Sequence, residues 1–257
     1  MLVLLSCAKT MSAVSKVKVP LTTIPRFQKE AAEIALQMSQ FSVDELERLL
    51  RVNAKIAVEN YKRYQAFHAE ATPELPALLA YTGIVFKRLN PKDFSAEDFG
   101  YAQEHLRLTS FCYGLLRPLD VIRAYRLEGD VVLPELGNQT LFSYWRSRLT
   151  DTFIENIRSA GGILCNLASD EMKSLFDWKR VESEVRVVTP EFHVWKNGKL
   201  ATIVVYTKMS RGEMTRFILK NKIGNPEELK GFSWEGFEFD ESLSDEKKLV
   251  FINGMGE

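Results

Sequence analysis

The run Ile163-Leu164-Cys165-Asn166-Leu167 decides the fold. It is mainly apolar, it follows the glycine pair Gly161-Gly162, and it leads into Ala168-Ser169-Asp170-Glu171. A short apolar run with these flanks is typical of a strand buried in the centre of a sheet. Polar side chains at the end of such a strand often form a site, because strand ends line the clefts of α/β sheets. We therefore predict a central strand with functional side chains at its carboxyl end.

Helices and further strands are predicted on both sides of this run. Leu141–Arg158 has the pattern of a helix that ends at the glycine pair, and Leu2–Ser6 predicts a first buried strand. Ser42 and Glu45 form a capping-box sequence, which predicts the start of another helix. Further helices are predicted at Phe27–Met38, Asn53–Phe67, Asp98–Arg107 and Arg211–Asn221.

Two hairpins complete the prediction. Glu191–Lys196 and Lys199–Tyr206 are joined by Asn197-Gly198, a dipeptide suited to a type I′ turn. Phe237–Phe239 and Leu249–Ile252 could pair as a terminal hairpin. With no linker, repeat or low-complexity stretch, the 257 residues predict one mixed α/β domain over 1–257, in which a mixed sheet is surrounded by helices.

Cysteine and histidine usage limits the chemistry. The three cysteines are far apart, which fits free thiols in a reducing cytoplasm better than disulfides. The three histidines have no paired spacing, so we predict no metal site and no cofactor. The apolar run Leu2–Leu5 is too short for a signal core, and no run approaches the ~20 residues of a membrane span. These features predict a cytoplasmic protein with no membrane partner.

The charges balance overall but not locally. The chain has 34 Lys and Arg against 34 Asp and Glu, which excludes a protein that coats DNA through bulk charge. Segment 196–231 has eight basic and three acidic residues, a net charge of +5. Segment 232–257 has two basic and seven acidic residues, a net charge of −5. A basic stretch attracts phosphate, whereas the alternative is a solvated helix face that pairs with the acidic tail.

The end of the basic helix predicts a turn with a possible role in binding. Lys222-Ile223-Gly224-Asn225-Pro226 suits a positive backbone φ at Gly224 and a second helix capped by Asn225. In helix-hairpin-helix proteins, such a turn offers backbone N–H groups to a phosphate. An ordinary pair of helices joined by a glycine turn is the alternative.

Three other segments contain residues suited to anion binding or catalysis. Ser6-Cys7-Ala8-Lys9-Thr10 follows the first strand but lacks the glycines of an ATPase phosphate loop. Arg117 and Arg126 are candidates for phosphate contacts, or for internal ion pairs with Asp120 and Glu128. Asp170 is either a general base or a helix cap.

Taken together, these segments resemble the YaaA family of bacterial peroxide stress proteins. The resemblance rests on blocks in the family's order across nearly the whole chain: 2–10, 105–107, 113–120, 125–128, 166–171, 211–212 with Met214, 216–218 and 231–232. It implies a fold peculiar to the family, with a basic cleft and a helix-hairpin-helix-like element. It also implies binding of double-stranded DNA without marked sequence preference, and protection from hydrogen peroxide by limiting free iron and DNA damage.

The sequence also departs from the family pattern at three places. The family usually has proline at the position of Cys7, an acidic residue at Ile84, and a second basic residue where Met209-Ser210 follows Lys208. The departure at Ile84 removes an acidic side chain from the cleft that the resemblance implies. The departure at Met209-Ser210 removes a positive charge from the basic patch.

Two functions remain open at this point. The first is a monomeric DNA-binding stress protein whose phosphate contacts are Lys9, Arg117, Arg126, Lys208, Arg211, Arg216 and the turn at Gly224. The second is an enzyme acting on nucleotides or nucleic-acid bases, with the catalytic candidates Asp170, Glu128, Tyr125 and Ser169. Direct iron sequestration through carboxylates is a weaker third possibility.

Overall fold

The computed structural model describes residues 1–196 and 198–254. Its α-helices, in chain order, are α1 (Gln28–Met38), α2 (Val43–Leu50), α3 (Ala54–Ala66), α4 (Ala77–Ala80), α5 (Ile84–Leu89), α6 (Ala96–His105), α7 (Leu141–Ser159), α8 (Asp170–Lys173), α9 (Trp178–Glu184) and α10 (Val204–Asn221). Its strands are β1 (Leu2–Leu5), β2 (Leu75–Pro76), β3 (Leu106–Ser110), β4 (Gly114–Leu116), β5 (Val121–Ile122), β6 (Val132–Leu133), β7 (Gln139–Thr140), β8 (Ile163–Asn166), β9 (Arg186–Lys196), β10 (Lys199–Ala201), β11 (Phe237–Asp240) and β12 (Lys248–Asn253).

One mixed sheet organises the molecule. Its strands lie in the order β11-β12-β9-β8-β1-β3-β4, and β10 pairs with β9. The strands from β12 to β3 are parallel, whereas β11 and β4 run antiparallel at the edges. Within the parallel part, the spatial order of the strands is 2-1-3-4-5 by their place in the chain, an order known from doubly wound sheets. The chain therefore reverses its direction of winding between β1 and β8, and a cleft is expected outside their carboxyl ends.

The prediction of a mixed α/β fold with a mixed sheet and surrounding helices is confirmed. The central strand predicted at Ile163–Leu167 is β8, and the first strand is β1, whose four residues are all buried. The predicted capping box also forms, because the backbone N–H of Glu45 donates to Ser42 Oγ and that of Ser42 donates to Glu45 Oε2 at 2.8 Å. The terminal hairpin is present as β11 and β12.

The strand predicted at Lys199–Tyr206 is wrong in its second half. Strand β10 ends at Ala201, and α10 begins at Val204, seven residues before the predicted helix start at Arg211. The β-branched residues after Ala201 favour a strand locally, but Val204 remains 65% exposed, so no burial supports a strand there. Helical winding instead brings Tyr206 against Phe237. Asn197 of the predicted turn lies outside the described residues, while Gly198 has a φ of +70°.

The predicted helix-hairpin-helix element is not confirmed. Helix α10 ends at Lys222, which takes the left-handed conformation expected for Gly224, and Ile223 N–H donates to the Ile218 carbonyl. This 6→1 bond places the left-handed residue two positions earlier than the glycine. Asn225 caps the next element as predicted, but that element, Pro226–Gly231, is a 3₁₀ helix.

Most cations of α10 and its C-terminal turn are neutralised within the fold. Arg216 pairs with Asp93 at 2.6 Å, Lys220 pairs with Asp98 at 2.8 Å, and Lys222 pairs with Glu97. These acids lie before and at the start of α6, not in the acidic tail that the sequence suggested as the partner. The net charge of +5 counted over segment 196–231 therefore does not correspond to a basic surface.

The Asp98–Lys220 pair provides a pH-dependent contribution to stability. Burial raises the pKa of Asp98, but hydrogen bonds from Lys220 and Ser95 outweigh burial and hold the pKa below its ordinary value. A carboxyl with a lowered folded-state pKa stabilises the protein above its unfolded pKa of about 3.9, and this contribution is lost as the pH falls through the folded-state value. We expect Asp98→Asn to lower the free energy of unfolding at pH 7 by roughly 1–3 kcal/mol.

Urea unfolding at pH 7 and pH 3 measures this effect. The difference between Asp98→Asn and the wild type should shrink at the lower pH, because Asp98 of the unfolded chain then binds a proton that the folded ion pair excludes, which removes part of the stabilisation. Asp44→Asn, at an exposed position of α2, is the matched control and should change little at either pH. If Asp98→Asn lowers the free energy of unfolding equally at both pH values, the pH-dependent contribution does not come from the Asp98–Lys220 pair.

Candidate functional site

A cleft of about 380 Å³ opens at the carboxyl ends of β1 and β8. The loop 6–10 after β1 and the loop 167–172 after β8 form two of its walls. The start of α5, the segment Tyr125–Leu127, and Lys208 and Arg211 of α10 complete it. The site therefore lies at the reversal point of the sheet, where the topology leads one to expect it.

Direct contacts hold the two strand-end loops together. The backbone N–H of Ser169 donates to Ser6 Oγ at 2.9 Å, and Ser6 Oγ lies 3.3 Å from Ser169 Oγ. On the other side, a Cβ atom on Gly83 would lie 2.9 Å from the Ala8 Cβ, so the absence of a side chain allows this close approach. The walls of the cleft are thus fixed by backbone contacts as well as by side chains.

Four of the predicted phosphate contacts meet in this cleft: Lys9, Arg126, Lys208 and Arg211. Lys9 is 60% exposed and lies 2.8 Å from a Glu128 oxygen, while Arg126 Nη2 lies 3.1 Å from the other oxygen of the same carboxylate. Glu128 itself is only 3% exposed. This predicted acid-base candidate is therefore held between two cations and positions them.

Lys208 and Arg211 differ from that pair, because neither forms an ion pair within residues 1–196 and 198–254. Arg211 Nε is buried without a hydrogen-bond partner there. Burial lowers the pKa of Arg211, and the charge of Asp170 acts in the opposite direction. These two cations, one turn apart on α10, are the positive charges of the cleft that remain available to a ligand.

The carboxylates that follow β8 are placed differently from what the sequence suggested. Asp170 is 93% exposed and pairs with Lys173 at 2.7 Å, so its side chain is turned out of the cleft. Ser169 occupies the N-cap position of α8, so Asp170 is not the cap. Glu171 lines the cleft instead. Glu171 was not predicted as a site residue, although its position shortly after β8 carried the same signal as that of its neighbours.

Tyr125 lines the cleft, but its hydroxyl belongs to a buried network. It lies 2.8 Å from the Tyr81 hydroxyl and 2.6 Å from Ser110 Oγ, which accepts a bond from the Tyr113 N–H. Burial raises the pKa of Tyr125 well above its ordinary value. The tyrosine is thus protonated at neutral pH and fixes the floor of the cleft.

The remaining predicted contacts, Arg117, Arg216 and Gly224, do not line the cleft. Arg117 follows β4, which is antiparallel to β3, so it lies at the opposite edge of the sheet and pairs with Asp120 at 3.1 Å. Arg216 is bound to Asp93. Gly224 follows the far end of α10, roughly 16 Å along the helix from Arg211.

Comparison with known proteins shows to which family the chain belongs. A family model described as "Peroxide stress protein YaaA" matches residues 1–243. The chain belongs to the YaaA family. It is 98% identical over 257 residues to a UPF0246 protein of Bacteroides thetaiotaomicron, with all of both chains covered. It is 52% identical to one of Porphyromonas gingivalis, with 98% and 99% of the two chains covered, and 38% identical to one of Crocosphaera subtropica, with 98% and 100% covered.

Two of the departures from the YaaA pattern lie in the cleft itself. Cys7 and Ile84 both line it, so a thiol and an apolar side chain face the cleft at these two positions. Met209 lies beside Lys208, and its sulfur lies 4.0 Å from Arg88 Nη2. The positive charges of the cleft in this YaaA protein come from four side chains, Lys9, Arg126, Lys208 and Arg211.

Two features are absent from the described parts of this YaaA chain. Within 1–196 and 198–254, no helix has the length and apolarity needed to cross a bilayer. In the same residues, no group of three or more His, Cys, Asp or Glu side chains is placed to hold a metal ion.

Cys7 is expected to be unreactive despite its place in the cleft. Burial raises the pKa of its thiol to about 12, against a hydrogen bond from Thr109 that lowers it. The thiolate is the reactive form, so its population at pH 8 should be reduced roughly a thousandfold relative to an unperturbed thiol. Alkylation by iodoacetamide, followed by mass spectrometry, should label Cys7 far more slowly than a cysteine in a short peptide. Labelling at the peptide's rate would contradict this expectation.

Proposed function

We propose that the chain binds double-stranded DNA without sequence preference through the cleft cations Lys9, Arg126, Lys208 and Arg211. The observation that carries the proposal is the presence of Lys208 and Arg211 in one cleft without acidic partners among the described residues. Lysine and arginine bind phosphate oxygens, and contacts of this kind position a protein on DNA without reading its sequence. A basic site confined to one cleft also agrees with a net charge of zero.

The dimensions of the cleft determine how a duplex would lie. A cleft of about 380 Å³ cannot enclose a double helix, whose major groove alone is about 12 Å wide. The duplex therefore rests across the mouth of the cleft, and the cations at the mouth contact its backbone. Lys9 and Lys208, which are both exposed, make the outer contacts.

The physiological role in this proposal is protection of DNA under peroxide stress. The family description, peroxide stress protein, supports this role. Binding to DNA would protect it from oxidative damage that accompanies excess free iron. The protein acts in the cytoplasm as a monomer in this proposal.

Binding to a duplex at several salt concentrations tests the proposal. For a 30-base-pair duplex followed by fluorescence anisotropy, the affinity should fall steeply with salt, because each phosphate contact releases counterions. The variant Lys208→Gln/Arg211→Gln should bind more weakly and should lower the slope of log K against log salt by about 2.

Lys29→Gln/Lys62→Gln is the matched control, because it removes the same charge from exposed positions of α1 and α3. It should keep the affinity and the slope of the wild type. Equal losses in the two variants, or no binding of the wild type at about 50 mM salt, would refute the proposal.

A second candidate function is an enzyme that acts on a nucleotide or a nucleic-acid base. One observation favours it: the cleft lies at the reversal point of the sheet and has a volume within the usual ~300–1,000 Å³ of small-molecule sites. Glu171 is then the acid-base candidate, since Glu128 is held by two cations and Asp170 points outward.

Survival of cells in hydrogen peroxide distinguishes the two functions. If binding is the function, Glu171→Gln should protect a deletion strain as well as the wild type does, whereas Lys208→Gln/Arg211→Gln should not. If Glu171→Gln binds duplex DNA normally but fails to protect, the enzymatic function is favoured.

A further inference from the structure

A second and larger groove, of about 950 Å³, lies beside the cleft. One wall is the irregular segment 12–18, and the other is formed by α4, α5 and the residues up to Phe94. Four lysines line it: Lys16, Lys18, Lys87 and Lys92. We call it the lysine groove. None of its lining residues is acidic.

The charges of the lysine groove are uncompensated. All four lysines are exposed, and none forms an ion pair or a side-chain hydrogen bond within the described ranges 1–196 and 198–254. The cations Arg216 and Lys220 of α10, in contrast, are bound to carboxylates. The positive potential of this side of the molecule therefore lies in the groove and not at the turn after α10.

The floor of the lysine groove is apolar. Leu79, Phe86 and Phe94 line it, and Val17 contributes from the opposite wall. Val14, at the rim, is 78% exposed. A groove with lysines along it and apolar groups at its base suits a chain that has both phosphates and accessible bases. Single-stranded nucleic acid has both, whereas a duplex hides the faces of its bases.

The groove leads directly to the cleft. A backbone pairing joins the segments that line them: Thr82 N–H donates to the Thr10 carbonyl at 3.0 Å, and Ser12 N–H donates to the Ala80 carbonyl at 2.8 Å. Helix α5 spans both, since Ile84 lines the cleft and Lys87 lines the groove. A strand in the groove would thus reach the cleft cations at one end.

We infer that the lysine groove binds single-stranded nucleic acid and leads it to the cleft. The inference rests on the proposed function, because it adds an unpaired strand to the nucleic acid that the cleft contacts. Lysines on both walls hold the phosphates, and the apolar floor contacts the bases. The occupant is thus a strand next to a duplex, such as the open end of a damaged or partly melted site.

Oligothymidylate of 15 nucleotides is the probe, followed by fluorescence anisotropy at several salt concentrations. The variant Lys16→Gln/Lys18→Gln/Lys87→Gln/Lys92→Gln should bind it at least tenfold more weakly at about 50 mM salt. Since each lost contact lowers the salt slope by about 0.7 for single strands, the slope should fall by about 2–3. Duplex affinity should change less than single-strand affinity.

The matched control is Lys29→Gln/Lys55→Gln/Lys62→Gln/Lys179→Gln, four exposed lysines with the same total charge change. If the groove variant binds oligothymidylate as this control does, the inference is overturned while duplex binding by Lys208 and Arg211 stands. If the wild type binds neither probe, the proposed function itself fails. A groove variant that loses duplex and single-strand binding equally would assign the groove to duplex DNA and overturn the inference.

A footprint on the wild-type protein makes the result independent of the variant's folding. Acetylation with and without oligothymidylate, measured by mass spectrometry, should show protection of Lys16, Lys18, Lys87 and Lys92, and none of Lys29. Equal protection by inorganic polyphosphate at the same phosphate concentration would mean that the groove recognises charge alone, and would overturn the assignment to a nucleic-acid strand.

Discussion

Gly212→Ala is expected to lower the free energy of unfolding by roughly 1–3 kcal/mol, which is the usual cost of overpacking a core. Helix propensity alone predicts the opposite, since alanine is favoured over glycine in a helix by about 1 kcal/mol. The packing of α10 against α5 decides the sign. A Cβ atom on Gly212 would lie 2.3 Å from the Val85 carbonyl oxygen and 2.8 Å from the Arg88 Cβ. A backbone oxygen cannot rotate away, so the two helices must separate.

Separation of these helices would also open the cleft, because α5 and α10 form two of its walls. Gly100→Ala provides the control: Gly100 lies in α6, and a Cβ atom there would meet nothing within 4 Å. Chemical denaturation should show Gly100→Ala as stabilising by up to about 1 kcal/mol and Gly212→Ala as destabilising. A stabilisation of similar size in both variants would contradict the close crossing of α5 and α10.

Glu128→Gln is expected to cost roughly 3–5 kcal/mol, the range observed when one partner of a buried ion pair is removed. Its carboxylate is 3% exposed and neutralises Arg126, whose side chain is only 16% exposed. Without the negative charge, the guanidinium stays in a poorly solvated place with no counter-charge. Lys9 contributes little to this loss, because it is 60% exposed and regains water.

Denaturant unfolding of four variants, Glu128→Gln, Arg126→Gln, their double variant and Glu227→Gln, checks this expectation. Glu227→Gln, which removes a carboxylate paired with Lys230 at the surface, should change the free energy of unfolding little. The double variant Arg126→Gln/Glu128→Gln should be more stable than the sum of the two single losses predicts, because no charge is then left unpaired. A loss from Glu128→Gln no larger than that from Glu227→Gln would show that the pair is solvated.

Local sequence patterns predicted the central part of the fold well. The apolar runs of β1 and β8 and the capping box at Ser42 act over a few residues and need no distant partner. The start of α10 was mispredicted because the β-branched residues around Val204 favour a strand locally, whereas the helix places Tyr206 against Phe237. Tertiary packing overrode local propensity at that point.

The candidate site was likewise predicted in part, where local positions along the chain determined it. Lys9, Arg126, Lys208 and Arg211 meet because two loops and one helix converge at one edge of the sheet, as strand-end positions suggested. Arg117 does not join them, because β4 runs antiparallel to β3 and ends at the opposite edge of the sheet. The direction of β4 could not be predicted from the sequence. Counting charges along the chain also misjudged Arg216, whose partner Asp93 lies 123 residues away. The lysine groove was missed for the same reason, since its four lysines come from two separate segments.

The central position of β1 has a consequence for biosynthesis. The strand made first is flanked by β3 and β8, so it finds its second neighbour only after residue 166 has been made. At the usual ~5–20 residues per second, translation needs roughly 8–30 s to reach that point. Until then, the segment Leu2–Leu5 is an apolar stretch with open backbone groups, of the kind that chaperones bind. Contacts this distant in sequence also make folding slow. The bond between the Ser169 N–H and Ser6 Oγ can form only after both loops have been made, so the cleft between them is completed late in the synthesis of the chain.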